Sequence, residues 1–409
     1  NFKRDGDVQK GDVSQDYYSE WIETQDQYYL DEIEKYNEQD CRSTYELHQW
    51  LLSIKPENTS WYAEEQEDIK IVPKDFEIEM LKYQNKVHES SIEDKSLKQL
   101  ITDIIGFYNR EDKPAWREFF DRKILSDWEL INDPECIGNM RLIGEPKIDK
   151  RSYLYTYKYE QQDFKLRKSK TCVIANNNNI ELTNSAGKIT DIDYSEKIVT
   201  IKRGMKSGLL PKILSIGPGT PIPTKKLNQN TYNFIDDMIS TNQKYHALKD
   251  ILHRKPPNIK NINRGDNLLS SDQFDVEIPK LLDNIKNSYL YIQGPPGTGK
   301  TQQATTAIVH LLSQNKKIAV TGLSHKVIHN LLGRVDEKAI ENNCSFKGYK
   351  KGDLEDEDTI YKGTQIHTYD KDSTFIDALE NNTCGQLFAG TKYHLANEYY
   401  EEKLDFLFI

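Results

Sequence analysis

The eight residues Gly294-Pro295-Pro296-Gly297-Thr298-Gly299-Lys300-Thr301 restrict this chain more than any other feature of it. They satisfy G-x-x-x-x-G-K-[ST], a spacing that calls for a strand, a tight glycine turn and a helix in succession. The glycines let the backbone curl with its amide hydrogens inward, so a polyphosphate meets a ring of donors at a helix start. Lys300 would neutralise the outer phosphates, and Thr301 would offer its hydroxyl to Mg2+. The flanks agree, because Tyr289–Gln293 reads as the strand and Ala304, Ala307, Ile308, Leu311 and Leu312 recur on one helical face. ATP and Mg2+ are therefore the implied ligands. The competing reading is a strand-to-helix turn without a ligand, and the complete octet with its Lys-Thr ending argues against it.

The surrounding pattern extends this into a fold expectation. From about 280 onward, strand, glycine turn, helix, strand and helix alternate, the pattern of a parallel α/β sheet. Lys317–Thr321 and Gln386–Thr391 read as strands ending in small or hydroxyl residues, and Leu404–Ile409 as a buried strand. Upstream, YLYTYKY, TCVIA, KITDID and KIVTIKR between 153 and 203 read as short antiparallel strands of a small β-barrel, turned at the asparagine run 176–179 and at 185–187. Leu97, Leu100, Ile101, Ile104, Ile105 and Tyr108 fall at helical spacing in a charged, aromatic connector. A helical passage runs from Tyr232 to Leu252.

With 409 residues the chain has room for two to four compact units. No apolar run approaches the ~18 residues a membrane helix needs, so no membrane partner is expected. Five scattered cysteines without a CxxC pair fit a reducing, cytoplasmic setting. The balance of 55 Lys+Arg against 65 Asp+Glu, net -10, provides no global pull toward nucleic acid, and such binding would need local patches.

The octet, followed by a strand and then Ser324-His325-Lys326-Val327-Ile328-His329-Asn330-Leu331-Leu332, resembles motifs I and Ia of superfamily 1 helicases, in the branch whose first RecA-like domain carries an inserted barrel. That resemblance implies an ATP-driven enzyme whose partner is single-stranded DNA or RNA. It would place Thr321, Ser324 and His325 on the sugar-phosphate backbone, with Gly390 and Thr391 near the strand's path. Contacts of this kind hold a strand without reading its sequence. From the residues alone, Ser324 reads equally well as the cap of the following helix. His325 and His329, four apart but with no Glu after His325 and no third ligand nearby, read as polar helix residues rather than a zinc pair. The resemblance also gives the basic stretches Lys165, Arg167, Lys168, Lys170 and Lys197, Lys202, Arg203, Lys206 a use in attracting phosphate; a solvated barrel surface is the alternative.

Near the amino end, Tyr36 and Asp40 stand one turn apart on a helix that also carries Leu30, Ile33, Leu47 and Leu51. A carboxylate that holds a divalent ion and a phenol that positions water suit metal-assisted hydrolysis. The stretch EIEKYNEQDCRSTYELHQWLL resembles the last motif of DEDDy, RNase H-like nucleases, which occur fused to this helicase type alongside RecB-like segments. The resemblance makes Tyr36 and Asp40 catalytic candidates and Asp40 a metal ligand; a polar helix face is the competing reading.

The expected division is 1–57 the tail of the nuclease domain, 58–149 a helical connector, 150–205 the barrel, 206–279 a helical linker and 280–409 a RecA-like lobe. Both ends read as cut. LDFLFI looks like the strand that delivers an Asp-Glu pair, and the pair itself is missing, so ATP binding with poor hydrolysis is expected. Gln273 is a candidate for reading adenine. The alternative function is a P-loop scaffold or switch that binds nucleic acid without unwinding it.

Overall fold

A computed structural model of the chain describes residues 6–8, 11–56, 75–176, 185–240, 244–269, 273–380 and 384–409. Two units divide it, Asn1–Val72 and Pro73–Ile409. Most of the asparagine run and the start of the connector lie outside the described residues.

In the first unit, helix α1 (Gly11–Thr24) packs along α2 (Gln27–Ile54). Asp26 starts α2 by accepting the Tyr28 amide at 3.0 Å, which satisfies one of the otherwise unpaired first-turn donors. Tyr17 meets Tyr29 edge-on at 5.4 Å. The expected apolar spacing forms a helix, but no side chain of α2 is buried, and Leu47, Trp50, Leu51 and Ile54 make an exposed stripe.

The second unit begins with α3 (Asp75–Glu89), α4 (Lys95–Ile104), α5 (Phe107–Ile124) and α6 (Asp127–Asn132). Leu97, Ile101 and Ile105 are buried as their spacing requires, packed with Tyr83 and Val87. Tyr83 stacks on Tyr232 at 4.2 Å, and its hydroxyl donates to Asp236 at 2.8 Å, which ties the connector to a later helix.

Next come β1 (Ile137–Leu142), β2 (Lys147–Asp149), β3 (Ser152–Lys158), β4 (Thr171–Ile174), β5 (Ser185–Asp193), β6 (Ile198–Gly204) and β7 (Ile213–Pro218). Six of them run β1-β7-β4-β5-β6-β3 and close when β1 pairs with β3, while β2 hangs on β3. All these pairings are antiparallel. The barrel thus draws β1 and β7 from outside 150–205. Alternation along β3 and β6 sends Tyr155, Tyr157, Val199 and Ile201 inward. Gly187, at φ +119°, lets β5 pass so close to β6 that a Cβ there would collide with the Lys202 carbonyl.

After α7 (Lys225–Ile239), α8 (His246–Leu252) and α9 (Phe274–Asn284) comes the parallel sheet. Its elements are α10 (Lys300–Ser313), β8 (Lys317–Val320), α11 (His325–Glu341), β9 (Lys347–Lys351), β10 (Ile366–Tyr369), α12 (Asp372–Leu379), β11 (Gln386–Ala389), α13 (Lys392–Leu395) and β12 (Phe406–Phe408). The strand order is β10-β9-β11-β8-β12, every pair parallel. Leu387 and Ala389 join the core under α9, α10 and α11, whereas Phe388 turns to the other face with Phe375 and Tyr400. A parallel sheet covered on both faces is the result.

One expectation fails here. Residues 289–293 form no strand; the chain entering the glycine loop is tied instead to 258–260. Ile285 bridges Ile259, Lys286 N donates to Asn258 O at 3.0 Å, and Asn258 N donates to Ser288 Oγ at 2.9 Å. Only Leu290 of this segment packs on the sheet core, and Tyr291 is three-quarters exposed.

Candidate functional site at the carboxyl edge of the parallel sheet

Helix α10 ends at Ser313 and β8 starts at Lys317, so the helix returns antiparallel to the strand and its first turn overhangs the end where β8 finishes. Gly299 precedes it at φ 85°, ψ 10°, with no side-chain cap and no acidic residue in the first turn. The amides there and the positive end of the helix dipole stay uncompensated by the protein. Gly297 and Gly299 both hold positive φ, and no atom lies within 4 Å of where a Cβ would stand, so the loop is an open cradle. Gly294, Pro295, Pro296 and Thr298 complete the curl, with Thr298 Oγ1 donating to Pro295 O at 2.8 Å. Lys300 Nζ reaches back into it, donating to Pro295 O at 2.8 Å and to Gly294 O. Thr301 is exposed beside it. This donor set fits a polyphosphate. Gln273 occupies the first position before α9, the helix packed against α10.

Parallel register brings the other sequence-nominated residues to the same edge. Ala389, Val320 and Phe408 stand side by side as the last paired residues of β11, β8 and β12. Thr321 and Gly390 follow directly, Thr321 N donating to Phe408 O at 2.9 Å and Gly390 N to Val320 O at 3.1 Å. Ser324 caps α11, accepting the Val327 amide at 3.3 Å. The Thr321 hydroxyl is buried and has no hydrogen-bond partner among the described residues, so it faces the protein. Gly390 is buried, and a Cβ there would come within 2.7 Å of His394 Cδ2. His394 explains that closeness: its ring packs on Phe375 at 4.5 Å and its Nε2 meets the Tyr400 hydroxyl at 2.7 Å. Burial, with nearby Lys351, pushes His394 down to about 4. Thr391 starts α13 without a side-chain capping bond.

His325 opens α11 and meets a group that the sequence did not nominate. Lys350, on β9, is fully buried, and its Nζ lies 2.9 Å from His325 Nδ1 and bonds the Thr359 carbonyl. Burial drives Lys350 down to about 8, opposed by the Asp356 charge. Burial and the Lys350 charge push His325 down to about 4. His329, 6.2 Å away ring to ring, is lowered by the same two causes, and its Nε2 is buried without a partner among the described residues. The two imidazoles share an ammonium neighbour, and among the described residues no group of three His, Cys, Asp or Glu side chains is arranged to hold a metal. The signal for Lys350 was available only once β9 was seen, since its alternation puts Gly348 and Lys350 on one inward face.

Most cations of the basic barrel stretches are paired. Lys165 pairs with Glu135 at 2.8 Å, Lys168 with Asp191 at 3.6 Å, and Lys202 with Asp149 at 2.6 Å. Arg203 is buried and donates to the carbonyls of Gly208, Ser185 and Ser207. Arg167, Lys170 and Lys188 engage one acidic loop after β9: Arg167 meets Asp358 at 3.4 Å, Lys170 meets Asp356, and Lys188 meets Asp353 and Glu355. Arg167, Lys170 and Lys188 thus join the barrel to the loop after β9, while Lys165, Arg167 and Lys168 stay about two-thirds exposed.

In the first unit, Tyr36 and Asp40 are half-buried on one face of α2. They bring one phenol and one carboxylate together, and that pair alone is not a hydrolytic centre. No helix among the described residues is long and apolar enough to cross a membrane. No curated protein matches the chain. Residues 1–52 match the sequence model of the RNase_H superfamily, so the amino-terminal unit carries an RNase H-like element.

Proposed function

We propose that this chain is the nucleotide- and strand-gripping part of a superfamily 1 helicase or translocase with a barrel inserted in its first RecA-like domain, joined to a DEDDy-type nuclease element. In this reading 280–409 is the RecA-like lobe, 150–205 lies within the barrel, 58–149 and 206–279 connect, and 1–57 is the nuclease tail. The observation that carries it is the uncapped start of α10 behind an open glycine cradle, on the edge shared with Thr321, Ser324, His325, Gly390 and Thr391. Ligands of doubly wound sheets bind at the carboxyl ends of the strands. Residues 294–301 would hold the phosphates of ATP, and the Thr301 hydroxyl would meet Mg2+. Bound ATP supplies the phosphoanhydride whose cleavage powers such motors. This chain's part is to bind, orient and neutralise those phosphates. Ser324 and His325 would hold a single strand of DNA or RNA beside them. Asp40 and Tyr36 would supply one metal-binding carboxylate and one phenol to the nuclease element, which would use Mg2+.

A second reading, a P-loop scaffold or switch that does not unwind, gains from the paired state of the barrel cations, which leaves fewer groups for a strand. The first test is titration of the 409-residue chain with a fluorescent ATP analogue and Mg2+. Lys300→Ala should weaken binding by on the order of 30-fold, the loss of a charge-assisted phosphate contact. Equal binding by the variant would sink both readings. Poor hydrolysis is expected of this chain, and nucleotide turnover stimulated by oligothymidylate and lost in Lys300→Ala would overturn that expectation.

A further inference from the structure

We propose that Lys350 is a positioning residue for the strand-facing edge: by donating to Nδ1, it holds His325 as a neutral imidazole whose proton sits on Nε2, the nitrogen left for a phosphate oxygen. The inference rests on the reading that His325 touches a nucleic-acid strand, and it names how that side chain is prepared.

A Lys ammonium has three N–H donors and no lone pair. Lys350 Nζ sits between two partners, His325 Nδ1 at 2.9 Å and the Thr359 carbonyl. The carbonyl can only accept, so Lys350 donates there; while Lys350 is charged, Nδ1 must accept as well. A neutral imidazole that accepts at one nitrogen carries its proton on the other. Nε2 of His325 has no hydrogen-bond partner among the described residues and, unlike Nε2 of His329, is not sealed inside the protein. The nitrogen that bears the proton is therefore the one solvent can reach.

The surroundings keep the arrangement in place. His329 from the same helix, Asp356 and Thr359 from the loop after β9, and Lys170 from the barrel are the groups that face the pair; Tyr361 lies behind His329 at 5.6 Å. Asp356 is the opposing carboxylate, and it is already engaged by Lys170. A second positive charge on His325 would thus meet Lys350 in a low-dielectric site without a free counter-ion. The result is a side chain that binds phosphate through a directed N–H, insensitive to pH across the neutral range.

The test uses the whole chain in three forms: wild type, Lys350→Met and Lys350→Arg. Long-range proton–nitrogen NMR on 15N-histidine protein should show His325 in wild type with Nε2 protonated and Nδ1 bare, unchanged from pH 5.5 to 7.5. Lys350→Met should move the titration of His325 upward, by the part of its lowering that the Lys350 charge causes, and Lys350→Arg should restore the wild-type pattern. A proton on Nδ1 in wild type, or a Lys350→Met spectrum identical to wild type, overturns the proposal; the wild-type spectrum decides even if a variant fails to fold. Anisotropy of labelled oligothymidylate supplies the second readout. The affinity difference between His325-containing and His325→Ala protein should stay constant with pH in the wild-type background. In the Lys350→Met background it should grow about fivefold as pH falls from 7.5 to 5.5. If the NMR pattern holds and His325→Ala leaves strand affinity unchanged, the strand contact is overturned while the positioning of His325 stands.

Discussion

Two regions of this protein were nominated to meet phosphate, and they are built in opposite ways. The loop Gly294–Thr301 carries one cation and several glycines; the barrel stretches carry eight cations and turns. At the loop, the start of α10 has no cap and Gly297 and Gly299 hold positive φ with empty space around them, while Lys300 donates to the Gly294 and Pro295 carbonyls. On the barrel, carboxylates from its own strands, from Glu135 and from the loop after β9 meet most of the cations. An uncapped helix start offers donors the backbone cannot satisfy, and a count of lysines does not supply that.

The largest expected effect is that of acid on the sheet edge beside the loop. His325 and His394, both on the sheet edge, sit near 4 in the folded protein, below the ordinary imidazole value. Between about 6.5 and 4 the unfolded chain binds more protons than the folded one, so their contribution is full above 6.5 and falls away as pH drops toward 4. Urea unfolding at pH 7 and pH 5 should show a loss of a few kcal/mol. His394→Phe should flatten that slope; an unchanged slope would mean that His394 is not held neutral.

A smaller effect tests the junction between barrel and sheet. Asp356 is mostly buried, accepts the Asp358 amide at 3.3 Å, and pairs with Lys170. Asp356→Ala should lower stability by about 1–2 kcal/mol in a chemical melt, because a buried acceptor shared by several donors is lost. Stability within error of wild type would break the view that these charges hold the barrel. Smaller still is the outcome of Asp353→Asn, Glu355→Gln and Asp358→Asn together. Exposed pairs contribute roughly 0.2–1 kcal/mol each. Releasing Arg167 and Lys188 should therefore raise oligothymidylate affinity by about threefold at low salt and leave stability nearly unchanged. No rise in affinity would mean that the barrel face has no strand to meet.

Much of the fold was legible because its signals are local. The stripe Leu97, Ile101, Ile105 is buried, and YLYTYKY and KIVTIKR became β3 and β6 because alternation with period 2 needs one face turned inward. Ser324 capping α11 followed from its place before an apolar helical run. The same logic misplaced 289–293, whose apolar residues read as a strand although they form none, with Leu290 alone of them packed on the sheet core and the residues just before them paired with 258–260. It also left α2 half-explained, since the spacing of Leu47 and Leu51 announces a helix but not what lies against it.

By itself the sequence determined the glycine cradle, the helix that follows it, the barrel's inward residues and the hydrophobic parallel strands. Each depends on stereochemistry or periodicity within a few neighbours. Only tertiary structure decided which charges are free. Lys170 and Asp356 are 186 positions apart, Lys188 and Glu355 167, and Lys350 finds His325 only because β9 and α11 meet beside the same sheet edge. A charge acts through what lies within a few ångströms, and for these residues that is set by how distant strands pack.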